Sequence, residues 1–193
     1  SSPDRGLDRL LEWFPEIKKA FPKASLHIFY GWNNFDRMAQ MFPWIAPFKN
    51  KLKGLLRQPD VYWHGRVGQQ ELAMQFQRAN FWVYPTDWLE TYCITFLESL
   101  MAGCYPITPD IGALPERTSP GLSALIPNEN MEPEAYIRAM KKWRDTTNQD
   151  KARIRADMRA YASRFTWEHV VQEWLAVALQ SISDRAQKAE VSA

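Results

Sequence analysis

Short apolar runs recur along the chain, separated by stretches in which apolar positions repeat every three or four residues. The runs are 26–31 (LHIFYG), 61–65 (VYWHG), 81–85 (FWVYP), 105–109 (YPITP) and 122–127 (LSALIP). Each is nearly continuous in apolar character, the pattern of strands covered on both faces. Between them lie helical patterns. Residues 7–21 place Leu10, Leu11, Phe14, Ile17 and Phe21 on one face, with Pro15 predicting a kink. Helices are also predicted over 35–41 and 48–56, split by Pro43 and Pro47. Others follow over 69–78 and over 91–102, the latter closed by Gly103. Three more complete the chain, at about 134–144, 149–163 and 167–182, the last with Thr166 as N-cap. Residues 184–193 are small and polar and read as a frayed tail.

Strand and helix in alternation predict an α/β fold, a parallel sheet with helices on both faces. In such sheets ligands sit beyond the carboxyl ends of the strands. The informative loops are therefore Trp32–Asn34, Arg66–Gly68, Thr86–Glu90 and Asp110–Glu116.

A chain of 193 residues can bury one sizeable core. Its charged fraction of 24% excludes wholesale disorder, and a net charge of +2 gives no reason to expect a nucleic-acid partner. No apolar run reaches the length of a membrane span, and no secretory leader is expected from the residues after Ser1. Two cysteines and three histidines give no zinc-site spacing. A helix between Cys93 and Cys104 would hold them about 16 Å apart, too far for a disulfide, so both are read as thiols in a reducing, cytoplasmic setting. His27 and His64, on predicted strands, are read as packing residues. Nine tryptophans point chiefly to packing anchors. Two stretches are basic: 49–57 holds four cations, and 138–164 holds nine against three carboxylates. A solvated helix face is the plain reading; contact with an anionic membrane surface is the alternative.

The densest chemistry lies in 85–103, PTDWLETYCITFLESLMAG. A strand ends at Pro85, a loop carries Asp87 and Glu90, and a helix predicted from Thr91 carries Glu98 two turns in. About 12 Å separates Glu90 from Glu98, which matches the span from a nucleotide ribose to a diphosphate-linked sugar. The amides of Tyr92, Cys93 and Ile94 would sit at the helix N-terminus, where free N–H groups and the helix dipole favour an anion. With Ile94, Leu97 and Met101 as neighbours, the Glu98 carboxylate is expected to need a partner, and a ribose diol suits it. Asp87 reads as a loop cap.

Those residues resemble the E-x7-E motif of family 4, the retaining group 1 of GT-B glycosyltransferases. Glu90-Thr-Tyr-Cys-Ile-Thr-Phe-Leu-Glu98 is followed by Ser-Leu-Met-Ala-Gly103-Cys-Tyr-Pro106-Ile, as in that family. Ser1-Ser-Pro-Asp-Arg-Gly-Leu-Asp-Arg-Leu-Leu is similar to its first loop and helix. His64-Gly-Arg-Val with Glu71-Leu is similar to the elements framing the nucleobase, and Gly112-Ala-Leu-Pro-Glu116 to the loop after the fifth strand. The loop Gly31-Trp-Asn-Asn departs from the family's glycine-rich pattern, and no second basic residue precedes Arg5.

The resemblance implies a Rossmann-like domain over 1–183, one half of a GT-B enzyme, that binds a nucleotide diphosphate sugar. Arg5 would contact the diphosphate and Glu98 the ribose. Glu90 would be catalytic, binding the donor sugar and stabilising the transition state. The amides of Tyr92, Cys93 and Ile94 would cap the distal phosphate and sugar, and Val67 would pack on the base. The sugar would pass with retention to a hydroxyl of a glycan, lipid or protein acceptor. No cofactor is implied, and the absence of Asp-x-Asp predicts no essential metal. The family's first strand runs into the Arg5 loop, so an upstream strand and an N-terminal acceptor domain are expected, with no transfer by this segment alone. A nucleotide-sugar 2-epimerase and a non-catalytic transferase-like module are the rival readings; the presence of both Glu90 and Glu98 argues against the latter.

Overall fold

The computed structural model of the protein describes residues 3–191, with side chains placed from Asp4 to Asp184. Ser1 and Ser2 of the first loop, and Ser192 and Ala193 of the expected tail, lie outside the described residues. All five apolar runs contain a strand: β1 (Leu26–Ile28), β2 (Val61–Trp63), β3 (Phe81–Val83), β4 (Tyr105–Pro109) and β5 (Ala124–Ile126). The helices are α1 (Leu7–Ala20), α2 (Asn33–Met41), α3 (Ile45–Leu55), α4 (Gln69–Arg78), α5 (Ile94–Ala102), α6 (Pro133–Asp145), α7 (Asn148–Ala162) and α8 (Trp167–Val191).

Every strand pairing is parallel. The strands fall into two sheets, β1–β2 and β3–β4–β5. Leu26 N–H donates to Asp60 O and His64 N–H to Ile28 O, both at 2.9 Å, so Leu26 and Ile28 turn their backbone groups toward β2. Alternation sends those of His27 the other way. In the second sheet Tyr105 N–H bonds Asn80 O and Tyr84 N–H bonds Ile107 O, which turns Phe81 and Val83 away from β4. Among the described residues no strand pairs with these outer edges of β1 and β3.

Helix α1 joins the two sheets. Its Leu10, Phe14 and Ile17 build a core with Ile107, Ile126 and Tyr136, against which Leu26 and Val61 of one sheet and Phe81 and Val83 of the other both pack. The helix runs unbroken through Pro15, whose ring removes the N–H that would bond the Leu11 carbonyl. The Gln58 amide donates to that carbonyl at 2.9 Å and fills the vacancy. On the opposite face of β3–β4–β5, Phe96, Leu97 and Leu100 of α5 pack with Met158 and Ala162 of α7. A third cluster, Leu11, Ile28, Phe35, Ile45 and Leu52, seats α2 and α3 beside β1.

Several sequence expectations need correction. Strands covered on both faces hold for β3–β4–β5 but not for β1–β2, where His27, Tyr62 and His64 are exposed. The two histidines are not packed inside: His27 Nδ1 and His64 Nε2 share a hydrogen bond of 2.9 Å at the surface. Pro47 does not split α3; it lies in the first turn, where a missing N–H costs no helical bond. Helix α5 starts at Ile94 rather than Thr91, and α8 continues to Val191, past the expected end at 182. Both cysteines are free thiols, and burial pushes each up to about 12.

Candidate functional site

The site forms where three loops meet beyond the carboxyl end of β3. The first is 3–6, a single 3-10 turn ending at Gly6. Gly6 has φ +70°, and a Cβ there would lie 1.9 Å from the Pro85 carbonyl oxygen, so only glycine lets the two loops touch. The second loop, 84–93, is sewn to the first. Asp87 N–H and the Thr86 hydroxyl both donate to Asp4 O, at 3.1 and 2.9 Å. Arg9 of α1 clamps the same loop, donating to Pro85 O at 2.7 Å and to both Asp87 carboxylate oxygens. Asp87 thus anchors its loop through Arg9 rather than as a cap; the Thr86 hydroxyl accepts the Trp88 N–H at 2.9 Å instead. The third loop brings Gly112, φ +56°, against the backbone of Glu90. A Cβ there would lie 2.7 Å from Glu90 O, and Ala113 N–H donates to that same oxygen at 2.7 Å.

These contacts fix Glu90, whose side chain is only 12% exposed. Its carboxylate forms an ion pair with Arg5 and accepts the Tyr84 hydroxyl at 2.7 Å. Arg5 donates to the Tyr84 oxygen at 2.8 Å and stacks 4.9 Å from the Trp88 ring centroid. Burial pushes the Tyr84 phenol up to about 12, so at neutral pH it is protonated and donates to Glu90. For Arg5, burial lowers the pKa, but the Tyr84 bond and the charges of Glu90 and Asp4 outweigh it and leave it raised.

Three residues beyond Glu90, Cys93 adopts φ +58° and starts α5 as its N-cap, with no side-chain cap bond. Its half-buried thiol, pushed up to about 12 by burial, is no nucleophile at neutral pH. Among the described residues the amides of Tyr92, Cys93 and Ile94 have no acceptor, so the helix N-terminus is open to an anion. Glu98 corrects the sequence reading: its side chain is exposed, not buried. Ile94 and Met101 share that open face at 56% and 41% exposed, while Leu97 turns into the core. Val67 is half-buried in the loop after β2.

The chain matches the family described as glycosyl transferases group 1 over residues 2–164. It belongs to that family. The glycosyltransferase domain is 28% identical over 129 residues to a D-inositol 3-phosphate glycosyltransferase of Streptomyces griseus, 67% of this chain and 27% of that one. It is 24% identical over 176 residues to a mannosylfructose-phosphate synthase of Agrobacterium fabrum, 90% of this chain and 37% of that one. The chain thus spans about a third of the length of these relatives. Its fold is that of GT-B glycosyltransferases. A sucrose-phosphate synthase of Thermosynechococcus elongatus superimposes with a TM-score of 0.73 at 17% identity, covering 94% of this chain and 43% of that chain. An Anabaena protein, HepE, solved with UDP and glucose, gives 0.68 at 15% identity, over 94% and 46%.

Within the glycosyltransferase domain the structure brings Arg5, Glu90 and the start of α5 into one cluster and places Glu98 on the open face of that helix. Sequence reasoning missed Tyr84, Trp88, Arg9 and Arg117. Arg117, 15% exposed, stacks 4.4 Å from the Tyr92 ring and 5.5 Å from that of Phe165, tying the site loop to the α7–α8 junction. The sole sequence signal for Tyr84 and Trp88 was their place beside a strand end; Arg9 and Arg117 gave none, since ion pairs and stacking across distant segments leave no local pattern.

Proposed function

We propose that this is the donor-binding domain of a retaining glycosyltransferase that moves a sugar from a nucleotide diphosphate sugar to an acceptor hydroxyl. The observation that carries the reading is the cluster itself: a cation, a shielded carboxylate and unpartnered amides at a helix N-terminus converge at one strand end. Anions bind such helix ends through their free N–H groups and dipole.

In this reading the donor diphosphate lies against Arg5 and the amides of Tyr92, Cys93 and Ile94. Arg5 then exchanges its bond to Glu90 for bonds to phosphate oxygens, which are charge-assisted in the same way. Glu90 is released toward the hydroxyls of the donor sugar, still held by Tyr84. Glu98 takes the ribose diol, and Val67 packs on the base. The acceptor hydroxyl attacks C1 on the face the diphosphate leaves, and the phosphate takes its proton. Arg5 and the amides stabilise the charge growing on the leaving group, so the reaction runs without a resident divalent cation. The open edges of β1 and β3 support a further parallel strand, contributed by the rest of the protein together with the acceptor domain. The acceptor class stays glycan, lipid or protein, and the setting is cytoplasmic.

The test is a pair of substitutions in the full-length enzyme, assayed by calorimetry with a panel of nucleoside diphosphates and by product anomer analysis. Glu90→Gln should lower turnover by about 10²–10³-fold without weakening nucleotide binding, because it frees Arg5. Glu98→Ala should weaken nucleotide binding by about 10- to 150-fold, the range for a hydrogen bond to a charged group. An inverted product anomer, turnover abolished by chelator, or nucleotide affinity indifferent to Glu98 would each refute the corresponding part.

A further inference from the structure

The segment between α2 and α3 is apolar throughout, and most of it faces solvent. Residues 41–48 read Met-Phe-Pro-Trp-Ile-Ala-Pro-Phe. Met41 is 63% exposed, Phe42 46% and Trp44 56%, and Pro43, Ala46 and Pro47 are exposed as well. This tip is ordered, not loose. Phe42 N–H bonds Met38 O at 2.8 Å, and Ile45 N–H bonds Phe42 O at 3.0 Å, closing a turn with Pro43 in its second position. Its stem is pinned by Phe35, Ile45 and Leu52, all at 0% exposure. Solvating two aromatic side chains and a methionine on a fixed turn has no folding benefit, and an exposed patch of this kind marks a contact surface.

The charge around the tip selects its partner. Residues 33–57 carry five cations, Arg37, Lys49, Lys51, Lys53 and Arg57, against one carboxylate, Asp36. Lys49 pairs with Asp36 and Lys51 with Asp8 and Glu12. Arg37, Lys53 and Arg57 have no carboxylate partner among the described residues, and all three are exposed. The exposed apolar residues of α8 have the opposite surroundings. Trp167, Trp174 and Leu175 on α8 share residues 167–184 with Glu168, Glu173 and Asp184 and with no Lys or Arg. No helix among the described residues is long and apolar enough to cross a membrane, so contact at the tip is interfacial.

We propose that the α2–α3 tip docks the protein on a bilayer surface rich in anionic lipid. Phe42 and Trp44 enter the headgroup boundary, Phe42 as a purely apolar ring and Trp44 as an apolar ring whose indole N–H stays on the wet side. Arg37, Lys53 and Arg57 sit over the lipid phosphates, each strengthening attraction to a negative surface. The inference is independent of the sugar-transfer reading, since no residue of the site cluster takes part.

The experiment is co-sedimentation of the protein with vesicles of phosphatidylcholine alone and of phosphatidylcholine with 30% phosphatidylglycerol. Binding to the anionic vesicles is expected, weakened by raised salt. A Phe42→Ser/Trp44→Ser double variant should lose about tenfold or more of that binding while staying folded, with only a modest fall in melting temperature, because about half of each side chain already faces solvent. A Lys53→Glu/Arg57→Glu variant should lose the preference for anionic over neutral vesicles. Absence of binding by the unaltered protein, or equal binding by the folded tip variant, would overturn the proposal. So would conversion of a dimer to monomer in the tip variant by light scattering, which would assign the tip to a second copy of the chain.

Discussion

At the residue scale, the site depends on side chains that hold one another rather than on any single group. The Glu90 carboxylate is held in a shielded position by the Arg5 ion pair and the Tyr84 hydroxyl, and Arg5 stacks in turn on Trp88. Elsewhere the same accounting leaves a group unmatched. Tyr136 is fully buried against Trp13, yet its hydroxyl has no hydrogen-bond partner among the described residues, and burial raises its pKa. An unmatched buried hydroxyl costs roughly 1–3 kcal/mol. Tyr136→Phe removes the oxygen and keeps the ring, so thermal unfolding should show a melting temperature unchanged or raised. A clear fall would mean that the hydroxyl has a partner in solution.

At the scale of elements, glycines set the approach of the loops. Gly112→Ala would force a side chain into the Glu90 backbone at φ +56°, where left-handed backbone already disfavours other residues. The variant should fold, lose roughly 1–3 kcal/mol in a denaturant titration, and lose turnover with it as Glu90 shifts. The β1–β2 pair carries a second testable feature. His27 is held below its ordinary value of 6.5, first by burial and then by repulsion from His64. A base with a lowered folded pKa binds fewer protons folded than unfolded, so stability is full above pH 6.5 and falls as pH drops below it. Melting temperatures measured from pH 7.5 to 5.5 should fall, and fall less in His64→Gln, where the repulsive part is gone. Equal slopes in the two proteins would remove the pair from the account.

At the scale of the whole molecule, the two sheets are joined through a core to which α1 gives Leu10, Phe14 and Ile17 and α6 gives Ala135, Tyr136 and Met140. Parallel strands with open edges leave backbone groups to water or to another strand. If a strand from the rest of the protein fills the space between β1 and β3, the longer chain should protect the amides of His27, Phe81 and Val83 from hydrogen exchange. The 193-residue chain should leave them fast-exchanging and should transfer no sugar. Robust transfer by this chain by itself would show that the site is complete within it.

The rhythm of apolar runs located all five strands, in β3, β4 and β5 because both faces are covered, and in β1 and β2 although one face carries the exposed His27 and Tyr62. The E-x7-E spacing and its helix were legible for the same kind of reason: a strand end, a loop and a helix start are consecutive in sequence. Family membership rested on motifs in order between residues 1 and 116, and the family match covers residues 2–164. Tertiary structure alone decided the rest. Glu98 faces solvent because the rotation of α5 sends Leu97, not its neighbour, into the core. Pro15 sits inside a helix because Gln58, distant in sequence, supplies the bond that proline withholds. Arg5 meets Glu90 because two left-handed glycines let three loops approach closely. Local order reports which elements form; burial and pairing between segments far apart in sequence depend on how those elements pack, and that is set only when the chain is folded.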